Sequence, residues 1–158
     1  MTVLALGVGS VAGVALAVVI YLRRRYRVVT VDGDSMLPTF ASGTRVLVRR
    51  SPLPAVIAED VVVIAHPWRE HLAEHGSRPW MIKRAAAVPG DRVPVSVLRG
   101  LRDDRARIGP RTPPLPVGAV VPDGALIVLG DNPDGSTDSR HFGYASSLDL
   151  LGVVVRVL

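Results

Sequence analysis

Cysteine is absent from the 158 residues, and lysine occurs once, at Lys83. Without cysteine there are no thiol nucleophiles, no disulfides and no Cys-type zinc sites, and the compartment stays open, because such a chain suits either side of a membrane. Aromatic residues make up only 4%, so the core has to be built from Val, Leu and Ala. The net charge of +5 is carried almost wholly by arginine. Those arginines are scattered, apart from Arg23-Arg24-Arg25 beside an apolar run. That placement suits lipid phosphates better than a DNA groove, and no nucleic-acid partner is expected. No internal repeat is found, and the length fits one modest domain plus an N-terminal segment.

Charge is also missing from Val3 to Leu22. About 20 residues at roughly 1.5 Å each match the roughly 30 Å of bilayer hydrocarbon, so one transmembrane helix is expected within residues 1–25. Tyr21, Tyr26 and the arginines suit its interfacial end. A cleaved leader ending near Ala15-Leu16-Ala17 is the competing reading. It is disfavoured because no basic residue precedes the run, which continues to Leu22. The arginines alone would place the following domain in the cytoplasm.

What is present is organised around Val31-Asp32-Gly33-Asp34-Ser35-Met36-Leu37-Pro38-Thr39. A β-rich run, Tyr26 to Val31, enters a bend where Gly33 permits positive φ and Pro38 stiffens the turn. Ser35 is thereby held exposed and immobile, as a nucleophile must be; a plain turn serine is the alternative until a base is found. Further strands are read over Thr44–Arg50, Asp60–His66, Met81–Ala87, Ala125–Leu129 and, within the terminal Leu150–Leu158, over Gly152–Val157. Asp60–His66 is aliphatic enough to be covered on both faces or edge-on to the membrane. Residues 67–79 read as a solvated loop in which His71 and His75 lack a third ligand. Residues 92–123, rich in Arg, Pro and Gly, read as a short, poorly packed insertion.

Lys83 lies in an apolar strand. One reading is a stem that snorkels to solvent. The other is a desolvated general base among Met81, Ile82 and Ala85, helped by Arg84 if its charge is near. At an ordinary lysine pKa only about 0.1% is neutral near pH 7.5, and burial can lower that pKa by about 3–5 units. After Ala125–Leu129 comes Gly130-Asp131-Asn132-Pro133-Asp134-Gly135-Ser136-Thr137-Asp138-Ser139-Arg140. Its oxygen-bearing turn residues lack the closing glutamate of a calcium loop.

Three blocks, Gly33 to Thr39, Lys83-Arg84 with Pro89-Gly90-Asp91, and Gly130 to Gly143, together resemble the type I signal peptidases, Ser–Lys proteases that remove leader peptides at membranes. The resemblance covers roughly Tyr26 to Arg156. It implies a mainly β fold of coiled antiparallel sheets behind one N-terminal transmembrane helix, with residues 26–158 as the peptidase domain. It implies Ser35 as nucleophile and Lys83 as base. The oxyanion would be held by the Ser35 N–H near Gly33, a position without the hydroxyl some relatives add. Ser136 would orient the lysine amine, with Asp131, Asn132, Asp138 and Arg140 bracing the site. Substrate would lie extended beside strand edges near Met36 and Ile82, on Asp60–His66 and Met81–Ala87. The resemblance implies no metal and no cofactor. Its partners are preproteins with signal peptides and the lipid bilayer, for a monomer whose single-pass anchor leaves the catalytic domain outside the cytoplasm.

Other readings remain at this level. A dedicated maturation protease for one partner protein, working in the cytoplasm, suits the short insertion and the arginine placement. A self-cleaving repressor-like Ser–Lys protease shares the Gly-Asp-Ser-Met turn. A membrane-anchored β-domain that only holds peptides is the alternative without catalysis.

Overall fold

The computed structural model describes residues 2–66, 80–98 and 115–158, and of residues 2–12 only the backbone. Helix α1 (Thr2–Arg25) leads directly into β1 (Tyr26–Thr30). The remaining strands are β2 (Arg45–Arg49), β3 (Val61–Ala65), β4 (Trp80–Ala87), β5 (Ala125–Leu129), β6 (Ala145–Ser146) and β7 (Leu150–Val157). They form one antiparallel sheet in the order β1-β2-β7-β3-β4-β5-β6. Six of the seven strands coincide within a residue or two with the strands read from the sequence. The two-residue β6 escapes sequence reading.

The mainly β expectation therefore holds, with one curled sheet. Its curl follows from the lining of a single cleft by both β1 and the first half of β4. Those strands are separated by β2, β7 and β3. In a flat sheet, four spacings of about 4.8 Å would hold them roughly 19 Å apart. Register shifts in the β2–β7, β3–β7 and β4–β5 ladders supply local bending. At one of these, Gly152 lets β7 pass the backbone of Arg49: a Cβ there would lie 2.1 Å from the Arg49 carbonyl oxygen.

The aliphatic composition packs as three clusters. One joins Val62, Ile64, Met81, Leu126, Val128 and Phe142. A second joins Val31, Met36, Val46, Val48, Val63 and Ile82, and fastens the bend after β1 to the sheet. The third contains Val93, Val97 and Val121 with Ala125 and Ile127. Within the segment read as a poorly packed insertion, residues 92–98 and 115–123 are described, and they contribute Val93, Val97 and Val121 to this cluster. Val93, Val97 and Val121 are buried, and the two described flanks are joined by backbone bonds, Val93 N–H to Ala119 O at 2.8 Å and Val121 N–H to Asp91 O at 2.8 Å. Widely spaced valines between Arg, Pro and Gly carry too little periodicity to announce such packing.

The expected membrane span gains no support here. Among the described residues, no helix is long and apolar enough to cross a membrane. Of the charge-free run, side chains are described from Gly13 onward; Gly13 to Leu22 rises only about 15 Å, against roughly 30 Å of hydrocarbon. His71 and His75 lie outside the described residues.

Candidate active site

The bend that carries Ser35 is built as its sequence requires. Val31 ends the strand run with both backbone groups bonded, its N–H to Thr44 O at 2.8 Å and its carbonyl to Gly43 N–H at 3.0 Å. Gly33 then takes φ 80, where a side chain is strained. Its N–H donates to the Ser42 hydroxyl at 3.2 Å. Met36, fully buried, plugs the second cluster and holds the residue before it in place. Met36 therefore lines the cleft from the core and not from a strand edge, because its apolar chain is worth more buried.

From the far side, Asn132 closes on the same bend. Its N–H donates to Ser35 O at 3.1 Å, and its side-chain amide donates to Asp34 O at 3.1 Å. The Ser35 N–H has no acceptor among the described residues. That leaves a half-buried serine with a fixed backbone and an unused donor beside its hydroxyl.

Lys83 sits in β4 opposite Val62 of β3 and is 4% exposed. It does not snorkel. Its amine donates to the Ser35 hydroxyl oxygen at 2.7 Å, across 48 residues of sequence. Burial is the main reason its pKa falls to about 8. Asp138 and Asp131 pull the value up, and Arg140 pushes it down. The cation that assists is thus Arg140 and not Arg84. Neighbours along a strand point to opposite faces, and Arg84 turns away to Asp131, with Nε and Nη2 donating to its two carboxylate oxygens at 2.8 and 2.7 Å.

Asp131 also accepts from the Thr39 hydroxyl at 2.5 Å, which ties β4, the end of β5 and the serine bend together. Burial alone would raise the Asp131 pKa, but these donors hold it below its ordinary value. Thr39 was not singled out in the sequence; the Pro38-Thr39 turn facing an Asp-Asn pair is the only hint of it.

Asp138 is fully buried and saturated with donors. The Gly130 N–H reaches it at 2.9 Å, the Ser136 hydroxyl at 2.7 Å, and the Arg140 Nε and Nη2 at 2.8 and 2.5 Å. Burial would raise its pKa, yet Arg140, the Gly130 N–H and Ser136 keep it below the usual carboxylate range. Ser136 thus spends its proton on Asp138, whereas it was expected to bond the lysine amine. A buried carboxylate is the stronger acceptor for that proton.

Gly130 emerges as a site residue of its own. A Cβ there would lie 2.2 Å from the Ser136 hydroxyl and 2.6 Å from the Ser35 carbonyl. Only a hydrogen fits between the Ser35 bend and the Ser136–Asp138 turn. The sign in the sequence is a glycine placed directly between a buried strand and an acidic turn.

The dyad opens onto a cleft of about 500 Å³, lined by Arg27 to Asp32, Ser35, Met36, Arg50, Trp80 to Lys83 and Leu151. Its walls are strand edges. Among the described residues, β1 pairs only with β2, and β4 pairs with β5 only from Arg84 onward. The Trp80–Lys83 half of β4, with Ile82, therefore leaves one side unpaired among the described residues, whereas Arg84–Ala87 of the expected Met81–Ala87 edge is covered by β5. The expected edge at Asp60–His66 is corrected: β3 lies between β7 and β4 and is paired on both sides. Its near-continuous burial, legible in its valines, is that of an interior strand.

A family model described as Signal peptidase, peptidase S26, matches residues 4–108 and 100–158. The chain is 28% identical over 144 residues to Signal peptidase I of Bacillus caldolyticus, covering 78% of this chain and 74% of that protein. It is 30% identical over 129 residues to Probable signal peptidase I-1 of Synechocystis sp., covering 77% of this chain and 65% of that protein.

Proposed function

Since the chain belongs to the signal peptidase family, peptidase S26, and is a serine endopeptidase, we propose that it removes leader peptides from exported preproteins with Ser35 as nucleophile and Lys83 as general base. The observation that carries this reading is the 2.7 Å contact between a buried, pKa-depressed amine and a serine hydroxyl. At a pKa of about 8, roughly a tenth of the amine is neutral at pH 7, some 300 times the fraction at an ordinary lysine pKa.

Once Lys83 is neutral, the contact runs from the Ser35 O–H to the nitrogen lone pair. Lys83 takes that proton while the Ser35 oxygen attacks the scissile carbonyl. The oxyanion is received by the Ser35 N–H. The Lys83 ammonium returns its proton to the leaving amine, leaving an ester on Ser35. A water deprotonated by the same amine then hydrolyses the ester. Asn132 fixes the serine backbone, Arg84–Asp131–Thr39 ties the lysine strand to the bend, and Ser136 orders Asp138, whose charge together with Arg140 sets the amine's environment. Substrate lies extended between the free edges of β1 and Trp80–Lys83, where backbone hydrogen bonds hold it irrespective of side chain.

Residues 1–25 serve in this reading as the membrane anchor, residues 26–158 as the peptidase domain, and the protein works as a monomer with that domain outside the cytoplasm. Support comes from the uncharged Val3–Leu22 run, continuous with a helix that enters β1 without a linker. The test is cleavage of a leader-bearing preprotein by purified full-length protein. Ser35→Ala and Lys83→Ala are each expected to abolish cleavage with the circular-dichroism spectrum unchanged. Cleavage by Lys83→Ala at the parent rate would assign the base elsewhere. Protease protection in intact cells reports the orientation.

A further inference from the structure

We infer that Arg27 and Arg50 form a charge-selecting subsite for substrate, at the end of the cleft remote from Ser35, that favours an acidic side chain about five residues before the scissile bond. The inference rests on the peptidase reading above and deepens it. The cleft lining includes Asp32 and Lys83, which adjoin or contact Ser35, and Arg27 and Arg50, which lie at the start of β1 and just after β2. Both arginines are exposed, and among the described residues neither is in an ion pair. Two unneutralised guanidinium groups on one wall of a substrate cleft need an anion or oppose a cation.

Strand geometry gives the distance. Arg27 on β1 precedes Val31, the residue directly after that strand, by four residues, and Trp80 precedes Lys83 by three on β4. At about 3.3 Å per residue, the arginine end lies roughly 10–13 Å from the dyad, which an extended peptide spans in three to four steps. Direction comes from the anchor. The Arg50 N–H donates to Arg25 O at 2.9 Å, so this end of the cleft abuts the end of α1. A leader peptide leaving the same bilayer enters there and reaches Ser35 with its cleavage point, so the subsite reads residues on the amino side of the cut.

Trp80, 45% exposed, shares the cleft and could stack on a substrate cation. One exposed ring offers less than two like charges oppose, and the balance remains with an acidic residue. Phospholipid phosphate is a rival ligand for the same arginines. Their place in the lining of the cavity that holds Ser35 and Lys83 favours substrate.

The test uses full-length protein in neutral detergent and peptides that differ only by Glu, Gln or Lys at the fifth residue before the cut. The wild type is expected to cleave the Glu peptide with a kcat/KM roughly tenfold above the Lys peptide, mainly through KM, and the ratio should shrink in about 0.5 M salt. Arg27→Glu/Arg50→Glu should bring the ratio to one or below, with Arg27→Gln and Arg50→Gln intermediate. Equal cleavage of all three peptides by the wild type overturns the inference and leaves the peptidase reading standing; cleavage of none removes both. A wild-type ratio unchanged in the double variant, with binding to phosphatidylglycerol vesicles lost, would assign the arginines to lipid and overturn it too.

Discussion

Replacing Lys83 with methionine should make the protein inactive and more stable, by an amount that depends on pH in a defined way. The amine is 4% exposed and its pKa falls from 10.5 to about 8, chiefly through burial. A lowered folded-state pKa means that the unfolded chain binds more protons between those two values. Wild-type stability therefore rises with pH across that window, and the cost of the buried ammonium is present in full below pH 8. A shift of this size corresponds to about 3 kcal/mol at pH 7, shrinking to about 1 kcal/mol at pH 10. Methionine has nearly the same shape and carries no charge. It loses the bond to Ser35, worth about 1 kcal/mol, so Lys83→Met should gain about 2 kcal/mol at pH 7. The firmer quantity is the difference between conditions, because all other groups titrate equally in both proteins. The advantage of Lys83→Met should be about 2 kcal/mol larger at pH 7 than at pH 10. Urea unfolding of the full-length wild type and Lys83→Met in detergent at pH 7 and pH 10 measures it. An advantage of equal size at both pH values would refute the reasoning, since it would mean that the lysine carries no burial penalty.

Cleavage should follow the same amine. The kcat/KM should rise about tenfold per pH unit below a midpoint near 8 and level off above it, and a steady-state pH profile checks this. Asp138→Asn leaves the buried Arg140 guanidinium without its counter-charge and should cost about 3 kcal/mol or more at neutral pH. Because the Asp138 pKa is held below 3.8, that gap should narrow only as pH falls through the acid range below it, which unfolding at pH 7 and pH 3 would show. Gly130→Ala should lower kcat at least 100-fold, since its methyl group displaces the Ser35 carbonyl or Ser136; wild-type kcat in this variant would show that the bend has slack.

Most of the fold was legible because its strands are aliphatic and bounded by Gly and Pro. Asp60–His66 and Ala125–Leu129 announced themselves as buried runs. The packing of Val93, Val97 and Val121 was not legible, because these residues acquire meaning only when β4 and β5 cover them. At the site, Ser35 and Lys83 stood out by local chemistry, one on a Gly–Pro bend and the other as the sole lysine. Their partners did not, since hydrogen-bond choice depends on three-dimensional competition. Ser136 bonds the buried Asp138 and not the amine, and Arg84 leaves Lys83 for Asp131 because strand neighbours face opposite ways. Thr39 and Gly130 became site residues only through contacts across more than 90 residues.

The solitary lysine also permits a direct measurement. Protein labelled with carbon-13 at lysine Cε carries one such signal, and its titration reports the Lys83 amine alone. A midpoint near 8 is predicted. A midpoint near 10.5, the value of a lysine in free solution, would contradict the assignment of this amine as the base that activates Ser35.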